Sequence, residues 1–420
     1  MAEKKREDDI AMKRLIIVTG LSILIFFITT LLFTSCSNFI DDPVDIIVLG
    51  ITYNGSDLDW WLKKFSENGI EDTDSWDKRC DGGNGYDHPN AVAVDLENNI
   101  YAVGTTTGVT DSDWWIKKFN SNGEEDTIRW NKCLDSGNGN EYPYSIAVDS
   151  EDNVYVAGCW NNSGNADWMI KKFDSKGNED TINWNKTFDW SGNTDNAYSV
   201  AIDSKDNVYV AGRVLISTND CVIKKFDCNG NEDMSWNKII PGGSEANIPN
   251  QIAVDRNDNV YVIGTKKDVS DTYWWIKKFD SSGNEDTANW DKNIDGTLGN
   301  DFAYAVAIDY DNNVYCAGTI YNGNNHDWWI KKFDSDGTED IKNWNKIFDG
   351  ALGNDTCYSI AIDRKDNVYA VGNSLVEPVS DFNWWIKKFR SDGVEDTGNW
   401  DKLIGGGFGA DSAYSAAVLH

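Results

Sequence analysis

Seven Lys-Lys pairs, from Lys63-Lys64 to Lys387-Lys388, are the first residues in this chain whose type and spacing suggest chemistry. Ammonium groups at such regular intervals could collect an anion. Each pair, however, is followed at constant spacing by an acidic pair, such as Glu71-Asp72, Glu125-Asp126 or Glu339-Asp340. With a four-residue turn between them, Lys118 faces Glu125 and Lys332 faces Glu339. Opposite charges at facing strand positions stabilise the strand pair modestly. The lysines therefore read as architecture. Turns of the form Asp-x-x-(Asp/Asn)-Asn, such as Asp203–Asn207, resemble calcium loops. Calcium takes roughly six to eight oxygens, usually with a distant bidentate Glu. These turns offer fewer, so the Asp is expected to accept from nearby backbone amides. No cofactor is expected; calcium at these turns is the alternative. Only three His are present, His88, His326 and His420. No Gly-x-Ser-x-Gly or His-Glu-x-x-His motif accompanies them. Paired carboxylates are too numerous to locate a glycosidase pair.

The elements that hold these residues repeat. A segment close to Asp-Trp-Trp-Ile-Lys-Lys-Phe occurs seven times, as Asp59–Phe65, Asp113–Phe119, Asp167–Phe173, Asp220–Phe226, Tyr273–Phe279, Asp327–Phe333 and Asn383–Phe389. The closing Phe residues lie 54, 54, 53, 53, 54 and 56 apart. A period this regular means one supersecondary unit copied along the chain. In residues 304–349, Tyr304–Asp309 reads as a buried strand, Asp309–Asn313 as a turn and Val314–Thr319 as a second strand. Trp328–Phe333 is a third strand, and Trp344–Phe348 begins a fourth. One four-stranded sheet cannot bury both faces, but a ring of such sheets can, which predicts an all-β propeller of seven four-stranded antiparallel blades. Ile46–Thr52 aligns with the second strand and Tyr414–Val418 with the first. The last strand should therefore complete the first sheet, closing the ring and removing its open edges.

The stretches Ala-Ile-Asp-x-x-x-Asn-Val-Tyr-x-Ala-Gly and Ile-Lys-Lys-Phe-Asp-x-x-Gly resemble the bacterial seven-bladed beta-propeller repeat family. The resemblance covers residues 45–420. It implies a propeller on a secreted or surface bacterial protein and carries no catalytic residues. The family tends to place Gly before the Asn of the first turn; here Asn98, Asp152, Asp206, Asp258, Asn312 and Asp366 stand there. Asn and Asp best tolerate the left-handed conformation that such a turn needs.

The other features constrain location and ligand. Lys4, Lys5, Arg6, Lys13 and Arg14 precede an apolar run, Leu15–Phe33, and then Ser35-Cys36. This is a secretory pattern. It resembles a lipoprotein signal, residues 1–36, ending at a lipidated Cys36, with an uncleaved membrane anchor as the alternative. Residues 37–44 are a short tether and 45–420 the propeller. Either reading places the body outside the cytoplasm, attached to a membrane. The net charge of −31 excludes binding to nucleic acid. A monomer is expected. Among the other cysteines, Cys80, Cys221, Cys316 and Cys357 align with hydrophobic positions and read as buried thiols; a Cys221–Cys228 bridge is the alternative. The repeat has 21 Trp positions, at three of which Met169, Cys221 and Val222 replace Trp; the remaining 18 with Trp160 and Trp190, which lie in loops, make up the 20 Trp.

The first-to-second and third-to-fourth turns are short and acidic and share one face of the ring. The second-to-third and fourth-to-first loops share the other and vary, as in Val214–Asn219, Pro241–Asn250, Lys266–Tyr273 and Ser374–Asn383. Recognition concentrates in variable loops on a rigid scaffold. The candidate ligand contacts on that face are Trp160, Trp190, Tyr273, Tyr321, Phe382, His88 and His326. Binding of a glycan or a protein is the leading expectation. A polysaccharide lyase or glycosidase on the same face is the second, and a structural envelope protein the third.

Overall fold

Short apolar runs broken by Asx- and Gly-rich turns fold as antiparallel hairpins. A computed structural model describes residues 44–419, except 84, 108–110, 138, 163, 191, 217, 243–245, 270, 297–298, 351–352, 377–380 and 407–408. The expected leader and most of the tether lie outside the described residues. Among those described, no helix is long and apolar enough to cross a membrane.

The body holds strands β1 (Ile46–Tyr53) to β28 (Ser412–Val418) and almost no helix. Five sheets have four strands each: β1 to β3 (residues 46–80) with β28, β4 to β7 (88–134), β8 to β11 (142–188), β20 to β23 (302–348) and β24 to β27 (356–404). The sixth combines two four-strand sets, β12 to β15 (residues 196–240) and β16 to β19 (246–294), through one parallel bridge, Asn219 to Ala246. In the unit taken above, the strands are β20 (Phe302–Ile308), β21 (Val314–Tyr321), β22 (His326–Phe333) and β23 (Lys346–Phe348). The fourth strand thus begins two residues later than expected, because Ile341–Trp344 form a helical turn capped by the Asp340 carboxylate. β28 pairs antiparallel with β1, Ile46 opposite Val418 and Leu49 opposite Ser415. The first strands of successive sheets contact one another in the order β4 (His88–Val94), β8 (Tyr142–Val148), β12 (Asn196–Ile202), β16 (Ala246–Val254), β20, β24 (Thr356–Ile362), β28 and again β4.

Tryptophan joins each sheet to the next. The first indole of the repeat segment donates across the interface, as from Trp328 to the Asn373 carbonyl at 2.9 Å and from Trp384 to that of Ile51 at 2.9 Å. The indole after the third strand does the same, as from Trp344 to Ser391 O at 3.0 Å and from Trp400 to Glu67 O at 2.8 Å. These rings are fully buried. The indole also explains the Gly in the second strand. A Cβ on Gly104 would lie 2.7 Å from Trp60 Cζ2, a distance real Cβ atoms do not adopt.

The lysine register differs from expectation by one residue. Phe119 faces Glu125 and Phe333 faces Glu339. The first Lys of each pair therefore holds the Glu: Lys117 with Glu125, Lys331 with Glu339. The shift arises because the Phe itself forms the bridge that closes the turn. The second Lys lies over the tyrosine of the neighbouring strand, as Lys118 does over Tyr101 at 4.6 Å. The first-turn residues Asn98, Asp152, Asp206, Asp258, Asn312 and Asp366 have φ between 58° and 63°, the left-handed conformation expected of them. Cys80, Cys221, Cys316 and Cys357 are buried free thiols, and Cys228 is an exposed one, so no Cys221–Cys228 bridge forms.

Candidate functional site

Each first strand carries one extra residue. The register against the second strand shifts at Asn90, Tyr144, Tyr198, Asn250, Tyr304, Tyr358 and Tyr414, which are skipped in the pairing. A β-bulge re-aims the side chain it carries. Here it turns these side chains toward the next first strand. The Tyr304 and Tyr358 rings lie 5.3 Å apart, those of Tyr358 and Tyr414 5.0 Å, and those of Tyr144 and Tyr198 5.0 Å. Asn90 and Asn250 reach the carbonyls of Pro143 and Ala303 in the following strand.

These tyrosines connect three of the candidate contacts. A continuous aromatic path runs from Tyr321 to His326 (5.3 Å), Phe302 (5.7 Å), Tyr304 (6.5 Å), Tyr358, Tyr414 and His88 (4.5 Å from Tyr414). All seven residues are half-buried. Burial pushes the Tyr304 hydroxyl up to about 12 and holds the His88 imidazole below its ordinary pKa, so Tyr304 is protonated and His88 neutral at pH 7. His326 contacts the Asn300 carbonyl at 2.9 Å and Asn354 Oδ1 at 3.3 Å. Tyr273 stands apart, beneath Lys266 at 5.9 Å, and Phe382 faces Leu375 across its own hairpin.

Trp160 and Trp190 do something else. In four copies the second indole of the repeat segment packs on the first indole of the preceding sheet, as Trp115 does on Trp60 at 4.8 Å and Trp329 on Trp274 at 4.9 Å. Met169 and Val222 leave two such places unfilled. Trp160, from the second strand of its own sheet, packs on Trp114 at 5.8 Å and under Lys171 at 5.2 Å. Trp190, from a fourth-to-first loop, packs on Trp168 at 5.0 Å and under Lys224 at 5.7 Å. Each replaces a missing indole from a different element. Trp160→Ala is therefore expected to cost about 2–3 kcal/mol, less than a fully buried Trp yet far more than a loop side chain, measured by denaturant unfolding.

The two faces hold their carboxylates differently. In the short turns the oxygens accept from the chain itself. Asp95 takes the backbone N–H groups of Glu97 and Asn99, the Asn99 amide and the Tyr101 hydroxyl. On the variable-loop face, three acidic groups could hold a cation: Asp59, Asp81 and Asp87; Asp111, Asp113 and Asp135; Asp327, Asp349 and Asp355. In each, one oxygen per residue lies within 4.8 Å of the others. The Oδ1 atoms of Asp59, Asp113 and Asp327 are buried without a hydrogen-bond partner among the described residues.

Burial raises the pKa of Asp355 above 3.8, against hydrogen bonds from the N–H groups of Gly350 and Leu375, and Asp349 adds to the rise. A group with a raised folded pKa contributes its stability below the unfolded value and loses it as pH climbs through the folded one. Thermal unfolding of the native chain should therefore worsen relative to Asp355→Asn as pH rises from about 4, and the gap should be constant once Asp355 is ionised.

A family model described as a beta-propeller repeat matches residues 345–378. No curated protein matches the chain in sequence. Among solved structures, the periplasmic gluconolactonase of Pseudomonas aeruginosa aligns over 90% of this chain and 99% of its own, with a TM-score of 0.59 at 10% identity. An ulvan lyase of polysaccharide lyase family 25 aligns over 85% of this chain and 91% of its own, with a TM-score of 0.47 at 12% identity. A quinonprotein alcohol dehydrogenase-like protein of Bacteroides thetaiotaomicron aligns over 88% and 77%, with a TM-score of 0.46 at 12% identity. These are likenesses of fold, and the chain is a β-propeller built from repeats.

Proposed function

We propose that this propeller is tethered to a membrane outside the cytoplasm and binds a glycan through its variable-loop face. The observation that carries this reading is the aromatic path from Tyr321 to His88. Half-buried rings that are apolar on their faces and polar at their edges suit sugars, whose C–H faces stack and whose hydroxyls need partners. Seven blades in a closed ring are part of the reading, supported by the β1–β28 pairing and by the unbroken order of contacts among the first strands. So is a leader over residues 1–36 that ends at a lipidated Cys36, with residues 37–44 as tether. The periplasmic location of the gluconolactonase is compatible with an extracytoplasmic body. An enzyme is the weaker alternative, since His88 and His326 lie against amide groups and aromatic rings. Calcium, if bound, belongs at the acidic groups of the same face.

The test is a glycan array and an envelope pull-down with the full chain in detergent, each run in calcium and in chelator. Tyr358→Ala interrupts the path and should weaken any glycan found there by roughly tenfold. Failure to retain any glycan under either condition would sink the reading. Retention of a protein alone would replace the glycan with that partner.

A further inference from the structure

The third lapse of the repeat is filled by an indole that leaves its own place. Cys221 stands where the other copies carry the first indole. In those copies that indole covers the Gly of the next sheet's second strand, as Trp60 covers Gly104 and Trp328 covers Gly372. At Gly264 the neighbour is instead Trp275, whose Cε2 and Cζ2 lie 2.6 Å from the position of a Cβ. Trp275, the second indole of its own segment, has folded into the space that Cys221 leaves. Its usual partners are lost. Trp61, Trp115, Trp329 and Trp385 donate to Asp77, Asn131, Asn345 and Asp401 at 2.6–2.8 Å. The equivalent Asp291 accepts from Lys277, while Trp275 Nε1 is buried with no acceptor among the described residues. Lys277, no longer covered, is 15% exposed, against 4–8% for its six counterparts.

The place vacated is a cavity of about 220 Å³ between β15 (Lys238–Ile240) and the β16–β19 set. Ile240 and Pro241 form one wall, and Trp275, Lys277 and Asp291 the other. Asn247 also lines it. Its Nδ2 donates to the Pro241 carbonyl, which fixes the amide, and its Oδ1 is buried without a partner among the described residues. Both Trp275 and Asn247 are more than nine-tenths buried, at 3% and 4% exposed. Two residues that line one cavity thus hold a donor and an acceptor with no partner among the described residues. Unpaired buried groups of this kind cost stability unless something satisfies them.

We propose that this cavity is a subsite for a neutral sugar ring, a hydroxyl of which accepts from Trp275 Nε1 and donates to Asn247 Oδ1. A hydroxyl is the simple group that does both. A carboxylate has no proton for Asn247 and meets Asp291; an ammonium cannot accept from the indole and meets Lys277. The volume is below the usual range for drug-sized ligands, so it takes one ring, with the rest of a chain outside. The inference rests on the glycan reading and locates a binding place that the aromatic path does not include.

The full chain, labelled with 15N at its indoles and held in detergent, is titrated with maltose, cellobiose and laminaribiose. The expected result is movement of the one indole resonance that Trp275→Phe removes. Asn247→Leu should abolish that movement or weaken it at least roughly tenfold. Cys221→Trp, which restores the repeat and refills the space, should abolish it while leaving the melting temperature unchanged or higher. Asn247→Leu keeps the test decisive if Cys221→Trp does not fold. The proposal is overturned if the Trp275 resonance stays still while glycans bind elsewhere, or if it moves equally in Asn247→Leu. If neither these sugars nor the array yields any binding, the glycan reading falls with it.

Discussion

A chain lacking Ser412–His420 is expected to lose cooperative folding altogether. The segment is β28, and it supplies the whole first strand of the sheet that contains β1. Without it, β1, buried from Ile46 to Thr52, becomes an exposed apolar edge. Such an edge invites pairing with another chain. Other losses follow on both sides. Ser415 Oγ no longer accepts from the Val92 N–H at 3.2 Å, Asn373 loses Ser412 at 2.9 Å, and Tyr358 loses the ring of Tyr414. Native domains have only about 5–15 kcal/mol in hand, so losing a strand that packs against two neighbours exceeds the margin. In the same detergent, the truncated chain should show no sigmoidal thermal transition and should aggregate on size exclusion. A melting curve within a few degrees of the native one would mean that β28 is dispensable.

Trp384→Ala should be the most damaging single substitution, at about 3–5 kcal/mol. The indole is fully buried, packs on Trp61 at 5.0 Å and donates to Ile51 O, so it joins the last complete sheet to the first. The cost combines a cavity with an unpaired carbonyl. Trp275→Ala provides the contrast. Its N–H has no bond to lose among the described residues, and space already lies beside it, so the expected cost is about 1–3 kcal/mol, toward the low end for a buried aromatic. Guanidinium unfolding of the two variants should separate them by at least about 1 kcal/mol; equal losses would contradict the account of the Cys221 interface.

What the sequence made readable followed from periodicity. Seven near-copies place every strand, and the turn Asx residues announce their left-handed backbone through residue type alone. The lysine register was one residue off because pairing at a turn depends on which residue closes it, and Phe119 gives no sign of that in its identity. The bulged tyrosines were hidden for a related reason. Tyr304 lies in what reads as a regular buried strand, since a bulge adds a residue without changing composition. Only the Asn at two of the seven positions, Asn90 and Asn250, hinted that this site tolerates polar groups. Trp160 and Trp190 stood out as loop aromatics, and their contacts could not be read from their own segments. What calls for them is a missing side chain in another strand, and that is a fact of packing.

The repair of Met169 and Val222 from two unrelated elements bears on how such a chain can diverge. A copy is held to a volume above its lysine, and any residue able to reach that volume satisfies the demand. Drift within one repeat is then absorbed by compensating drift in another segment, and the packing between sheets remains indifferent to which segment supplied the atoms. Identity between copies consequently overstates how tightly each position is constrained. A lapse filled only by drawing an indole out of its own place, as Cys221 draws Trp275, leaves an asymmetric hollow in an otherwise periodic body, which is how a duplicated scaffold comes to possess a site that its founding unit lacked.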